Sequence, residues 1–375
     1  MLSPQRLCVG GVVQPNVLQR IAQRGMINKM ESNDVGGRGK RGRNAAFLIA
    51  CSILLIAGCG GSSSGTVLTE PTPLPEALSE LDASFHEAIA YGPSVEKNLF
   101  DILLPKNPYA VPLVIYFHGG DFTGGSRSVA WSEDSAPQIK RLIDADVAVA
   151  SVDYRFLNRS EALGLRTPLG DGARSVQFIR LHAEKLGIDA ARIVLLGDSV
   201  GAGMSLWIAV SDDRAEPFST DPVLRQSTRV QGAILRETQA SFDVDRWSED
   251  VFYGSGACFR GGSRCPELED KILDFYGISD LDELGSSETR AYRRDVDMIP
   301  LMTADDPALF IRNQDRPNRL PSNWDLILHH PRHATTIADK ASRVGIEYTL
   351  YAPALGIEDF RGENEVDFAL RILAK

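Results

Sequence analysis

Three stretches of the chain are apolar almost without interruption and too short to be helices of ordinary length: VPLVIYF from Val111, VAVASVDY from Val147 and RIVLL from Arg192. Strands that alternate apolar and polar residues have one wet face, whereas continuous apolar runs of this length fit strands buried on both faces. Stretches of helical character lie between and after them. The pattern predicts a short opening strand near Glu96–Leu104, strand Val111–Phe117, helix Ala136–Ile143, strand Val147–Asp153, helix Asp171–Leu186 and strand Arg192–Leu196. The segment GAGMSLWIAV after Ser199 reads as the next helix. Then follow strand Gln231–Arg236, strand Ala308–Arg312, helix Ala334–Val344, strand Ile346–Tyr351 and helix Glu363–Leu373.

Strands alternating with helices predict an α/β fold, a mostly parallel sheet covered by crossover helices. In such sheets ligands bind at the carboxyl ends of the strands, so chemistry is to be sought in the loops that follow each strand. The stretch from about 238 to 302 is too long for a plain connection. It contains the helical pieces Pro266–Tyr276 and Glu288–Arg293, and it is expected to form a cap over the site. Its Phe242, Trp247, Phe252, Tyr253 and Phe259 suit an apolar wall as well as a core.

The first 58 residues differ from the rest. They hold eight Lys or Arg and two Asp or Glu, while the whole chain of 375 residues carries −10. RGKRGR at Arg38–Arg43 precedes fourteen apolar or small residues, Ala45–Gly58, and then Cys59. A spanning helix needs about 20 apolar residues, so this is read as an export signal. Ile56-Ala57-Gly58-Cys59 resembles the bacterial lipobox, which implies acylation of Cys59 and a membrane anchor. Residues 1–29 make no sensible n-region, and Met26 and Met30 are both open as starts. Residues 59–76, Gly/Ser-rich and then Pro-rich, are expected to be a flexible tether, with the globular domain over 77–375. Export predicts an oxidising compartment and a disulfide between Cys258 and Cys265, whose eight-residue loop would contribute about 2.5 kcal/mol. The acidic body without a basic stripe argues against a nucleic-acid partner.

Candidate chemistry sits after two strands. RIVLL runs into Gly197-Asp198-Ser199-Val200-Gly201 and a helix, the strand–turn–helix context of a nucleophile elbow. VPLVIYF ends in His118-Gly119-Gly120, a loop suited to presenting backbone N–H groups to an oxyanion. HGGDF, DYRF at Asp153–Phe156, GDSVGAG and ADDPALFI leading to Asp315 together make the chain, from Ser94 onward, resemble the α/β-hydrolase superfamily. Within it the chain is similar to hormone-sensitive-lipase-like and feruloyl and acetyl-xylan esterase-like enzymes. The resemblance implies a serine hydrolase of carboxylic esters without cofactor or metal, with Ser199 as nucleophile, Gly119, Gly120 and Val200 as oxyanion hole, and Asp315 as acid. His118, Asp153 and Arg155 are read as scaffold, and Asp305 and Asp306 as turn and cap residues.

The base departs from the family's pattern. The resemblance implies a His after the last strand, where this chain has Pro353-Ala354-Leu355-Gly356-Ile357-Glu358-Asp359-Phe360. Glu358 is a weaker base than imidazole at neutral pH, and a Ser without a base is a poor nucleophile. Of six His, His86, His118 and His182 are read as structural. His329, His330 and His333 follow strand Ala308–Arg312 on the carboxyl side of the sheet, and His330 is taken as the relocated base because Pro331 would hold it extended at a helix entrance. His329, or no residue at all, stays open, as does Glu237 in place of Asp315 for the acid. Val200, larger than the usual residue after the nucleophile, crowds the oxyanion hole. The leading expectation is an exported, lipid-anchored esterase acting on a small-molecule, polysaccharide or lipid ester. The alternative is a catalytically impaired hydrolase-fold protein that binds a ligand or partner at the cell envelope.

Overall fold

A computed structural model describes residues 67–375 apart from 107, 254–265, 315, 320, 322 and 359–361. Cys59, Cys258, Cys265 and Asp315 therefore lie outside the described residues, as does the export segment.

The strands are β1 (Ala83–Ala90), β2 (Leu99–Pro105), β3 (Val111–Phe117), β4 (Ala148–Val152), β5 (Ile188–Asp198), β6 (Gly232–Arg236), β7 (Ala308–Arg312) and β8 (Tyr348–Tyr351). They form one sheet in the order β1-β2-β4-β3-β5-β6-β7-β8. β2 is antiparallel to both β1 and β4, and from β4 to β8 every neighbour is parallel. Continuous apolar runs become strands here because successive side chains point to opposite faces and both faces are covered. On β3, Leu113, Ile115 and Phe117 enter one hydrophobic cluster while Val114 and Tyr116 enter another. On β7, Leu309 and Ile311 join the first and Ala308 and Phe310 the second.

The helices are α1 (Ala136–Asp144), α2 (Arg166–Leu181), α3 (Ala183–Leu186), α4 (Val200–Val210), α5 (Trp247–Asp250), α6 (Pro266–Tyr276), α7 (Ser287–Val296), α8 (Met298–Leu301), α9 (Trp324–Leu328), α10 (Arg332–Val344) and α11 (Glu365–Leu373). α1 and α11 cover one face, through Ile139, Leu142 and Ile143 and through Val366, Phe368 and Ile372. α2, α4 and α10 cover the other. Every residue of α4 is buried, which explains its apolar composition on all sides. α5 to α8 belong to the insertion between β6 and β7, whose Phe242, Trp247, Phe252 and Phe275 are buried in the same cluster.

Two expectations change. The opening of the domain is longer than the apolar pattern indicated, because β1 adds an edge strand, and Thr69 and Thr72, at the end of the expected tether, bond to it. Thr72 donates its N–H to the Phe85 carbonyl at 2.8 Å, and His86 Nδ1 bonds the Thr69 carbonyl at 2.6 Å. In addition, β7 is followed by a one-turn helix, α9, that no hydrophobic period announced.

Candidate active site

β5 ends at Asp198 and α4 begins at Val200, so the chain reverses within one residue. Ser199 absorbs the reversal at φ 54° and ψ −122°, a backbone region that most side chains avoid. Its neighbours must be small for steric reasons. A Cβ on Gly197 would stand 2.2 Å from the Gly201 carbonyl oxygen, and one on Gly201 would stand 2.1 Å from that of Phe117. The Ser199 N–H donates to the Arg236 carbonyl at 2.9 Å, and its own carbonyl accepts the first bond of the helix from Gly203.

The loop after β3 approaches this turn closely. A Cβ on Gly119 would meet Ser199 Cβ at 3.2 Å, and Gly120 adopts φ 111°. Val200 is the first residue of α4, so its N–H has no acceptor within the helix. His118 shapes the loop: its Nδ1 bonds the Gly119 carbonyl at 2.7 Å, its ring stacks on Tyr154 at 4.4 Å, and Tyr154 Oη donates to its carbonyl at 2.6 Å. Asp153 accepts from the backbone and guanidinium of Arg127, and Arg155 forks onto Asp171; all are framework groups. Asp305 and Asp306 bond Thr303 at the turn before β7.

The imidazole at the Ser199 hydroxyl is His329. Ser199 Oγ lies 2.7 Å from His329 Nε2. His329 Nδ1 donates to Asp325, at 3.0 Å to Oδ1 and 3.1 Å to the carbonyl. With Nδ1 carrying the proton, Nε2 is the acceptor and Ser199 Oγ–H the donor. α9 makes this chain: Asn323 caps its first turn, and Asp325 and His329, four residues apart, fall on one helical face. Arg316 holds the same Asp325 Oδ1 at 3.0 Å.

His330, expected as the base, is turned elsewhere. Its Nε2 donates to the Arg319 carbonyl at 3.1 Å and its Nδ1 accepts the Arg332 N–H at 3.2 Å. Both ring nitrogens are engaged in holding the loop before α10, and the side chain packs edge-on against Phe252. Next in the HHPRH run, His333 is fully buried, accepts from the Ala240 N–H and donates to the Ile327 carbonyl. Burial holds its imidazole down to about 3. Glu237 takes a left-handed backbone at φ 51° and its Oε1 accepts the Gln314 N–H at 2.8 Å. Among the described residues, the carboxylate that meets His329 Nδ1 is that of Asp325, which sequence reasoning did not single out.

Ser199, His329 and Asp325 line a cleft of about 410 Å³ with Gly120, Asp121, Glu237, Arg316 and Trp324. Burial lowers the His329 pKa below the ordinary imidazole value; Asp325 works against that shift and Arg316 adds to it. The imidazole is therefore neutral at pH 7, the form that can accept a proton. A hydroxyl bonded to a neutral imidazole, beside backbone donors on a tight loop, can attack a carbonyl carbon and hold the oxyanion that results.

Sheet order, nucleophile elbow and oxyanion loop together define an α/β-hydrolase. The BD-FAE family model matches residues 100–310, more than half of the 375 residues, and the chain belongs to that family. Esterase LipI of Mycobacterium tuberculosis is 30% identical over 115 residues, covering 31% of this chain and 33% of its own. Probable carboxylesterase 1 of Arabidopsis thaliana is 28% identical over 184 residues, covering 45% and 54%. The matches thus span about a third to a half of those relatives' length. Among solved structures, a truncated carbohydrate esterase from gut microbiota aligns with a TM-score of 0.56 at 18% identity, over 79% of this chain and 99% of that one; this likeness is one of fold.

Proposed function

We propose that the protein is a serine hydrolase of carboxylic esters that works through an acyl-enzyme on Ser199, with His329 as general base and Asp325 as its acid partner. The observation that carries this reading is the continuous contact Ser199 Oγ to His329 Nε2, 2.7 Å, and His329 Nδ1 to Asp325 Oδ1, 3.0 Å. Ser199 Oγ attacks the ester carbonyl as its proton passes to His329. The oxyanion is held by the N–H groups of Gly119, Gly120 and Val200. His329 gives the proton to the departing alkoxide, leaving the acyl group on Ser199. A water, deprotonated by the same imidazole, then releases the carboxylic acid. The binding-protein alternative rested on the lack of a base, and His329 removes that ground. Names such as esterase and carboxylesterase among the relatives agree with the reading.

The test is hydrolysis of p-nitrophenyl acetate by the full chain and by Ser199→Ala. Turnover with an initial burst in the first and none above background in the second is expected; equal rates in both would overturn the proposal.

The basic and apolar leader, Cys59 and the Gly/Ser stretch after it support export and lipid anchoring at the bacterial envelope, and an exported insertion would carry Cys258 bonded to Cys265. Mass analysis of the mature N-terminus for an acylated Cys59, lost in Cys59→Ser, tests the anchor.

A further inference from the structure

The residue after Gly119-Gly120 is Asp121, at φ 57°, followed by Phe122 at φ 56°. Two consecutive side-chain-bearing residues in the left-handed region cost about 1–2 kcal/mol each, so the surrounding contacts must hold them there. For Phe122 the holders are the rings of Phe242 at 5.4 Å and Phe275 at 6.4 Å, both from the insertion. For Asp121 they are two donors from different elements. Lys271 of α6 is ion-paired to Asp121 Oδ2, and Trp324 Nε1 of α9 donates to Oδ1 at 3.3 Å. The Lys271 ammonium also stands 5.6 Å over the Trp324 ring. The ion pair is about three-quarters withdrawn from solvent, with side-chain exposures of 20% for Lys271 and 24% for Asp121, so salt screens it less than a surface pair.

Trp324 is the first residue of α9, immediately precedes Asp325 and lies five residues before His329, which caps the end of that helix. It stacks on Trp247 at 5.8 Å and meets Phe275 at 6.1 Å. A single carboxylate therefore joins the loop that carries the oxyanion donors, the helix that carries the base and the helix of the insertion.

We propose that Asp121 is a positioning residue: through Lys271 and Trp324 it registers the oxyanion loop against the His329 helix, and does so only while the insertion is seated. The inference rests on the hydrolase reading above. Its consequence is that Lys271, which sits on the insertion and is paired with Asp121 and stacked over Trp324, governs the rate of the chemical step more than substrate binding. Misplacing donors by about 1 Å is enough to slow an acyl transfer on the order of 100-fold.

The test uses the full chain with Asp121→Gly, Asp121→Asn, Lys271→Met and the Asp121→Gly/Lys271→Met double variant, with kcat and KM for p-nitrophenyl acetate. Glycine suits the left-handed backbone, so Asp121→Gly keeps the loop's conformation accessible while removing the tie. Expected are about 10- to 100-fold losses in kcat for Asp121→Gly and Lys271→Met, KM within about threefold, and no further loss in the double variant. Asp121→Asn, which keeps an acceptor for Trp324, should fall between these and the wild type. Wild-type kcat in both single variants, or losses that multiply in the double, would overturn the proposal. A loss seen only in KM, or only in thermal stability with kcat intact, would overturn it as well. A wild type that neither turns over nor labels at Ser199 would instead bring down the hydrolase reading, and this inference with it.

Discussion

Ser199 Oγ and His329 Nε2 stand 2.7 Å apart although 130 residues separate them in sequence. The contact forms because the elbow after β5 and the one-turn helix after β7 both open onto the carboxyl end of the sheet. In the proposed mechanism it gives the proton transfer to His329, while His330 bonds the Arg319 carbonyl and the Arg332 N–H. His329→Ala should lower kcat by at least about 10³-fold, and His330→Gln by less than about tenfold. Steady-state kinetics on the two variants checks this, and the reverse order would contradict it.

Asp325 is an unusual partner for a base in that its side chain is 54% exposed and shares its Oδ1 with Arg316. Water screens part of its stabilisation of the imidazolium. Asp325→Asn is therefore expected to cost about 10- to 100-fold, well short of the roughly 10⁴-fold known for a buried triad acid.

The pH profile follows from the same groups. Burial lowers the His329 pKa, Asp325 raises it and Arg316 lowers it; Ser199, Glu237, Asp121 and Asp198 face the same cleft from the other loops. The rate falls as pH drops through the His329 pKa, so the acid limb of kcat/KM should lie below the ordinary imidazole value. Arg316→Gln should move the limb up and Asp325→Asn should move it down. A rate profile from pH 4 to 8 reads both directions.

Asp297, buried in the insertion beneath Ser241 and beside Asp243 and Arg246, has its carboxyl pushed up to about 6, mainly by burial. Its folded pKa lies above the unfolded one near 3.8, so it favours folding below pH 4 and that contribution is lost as pH rises through 6. Asp297→Asn retains an acceptor for Ser241 and should stabilise the fold by about 1–3 kcal/mol at pH 8, with little effect at pH 4. Denaturant midpoints at the two values check the sign.

Most of the scaffold was legible because its strands are buried on both faces, which leaves unbroken apolar runs such as Val111–Phe117. The elbow was legible because geometry permits only small residues at Gly197 and Gly201. β1 was not: it is an edge strand with mixed burial, and its register with β2 shifts between His86 and Ile89, so no clean alternation survives. The imidazole that meets Ser199 was half legible. The HHPRH run pointed to the loop from which that imidazole comes, but the argument from Pro331 favoured His330, whereas His329 is placed by a five-residue helix too short to show a hydrophobic period. Its signal was present in Asn323, a capping residue, followed by Asp325 and His329 at helical spacing.

The most direct test of the account is reaction of the full chain with a fluorophosphonate, followed by intact mass and peptide mapping of the wild type, His329→Ala and His330→Gln. The account predicts one adduct on Ser199 in the wild type and in His330→Gln, with labelling slowed at least about 100-fold in His329→Ala. Equal labelling in His329→Ala, or an adduct at another residue, would contradict it.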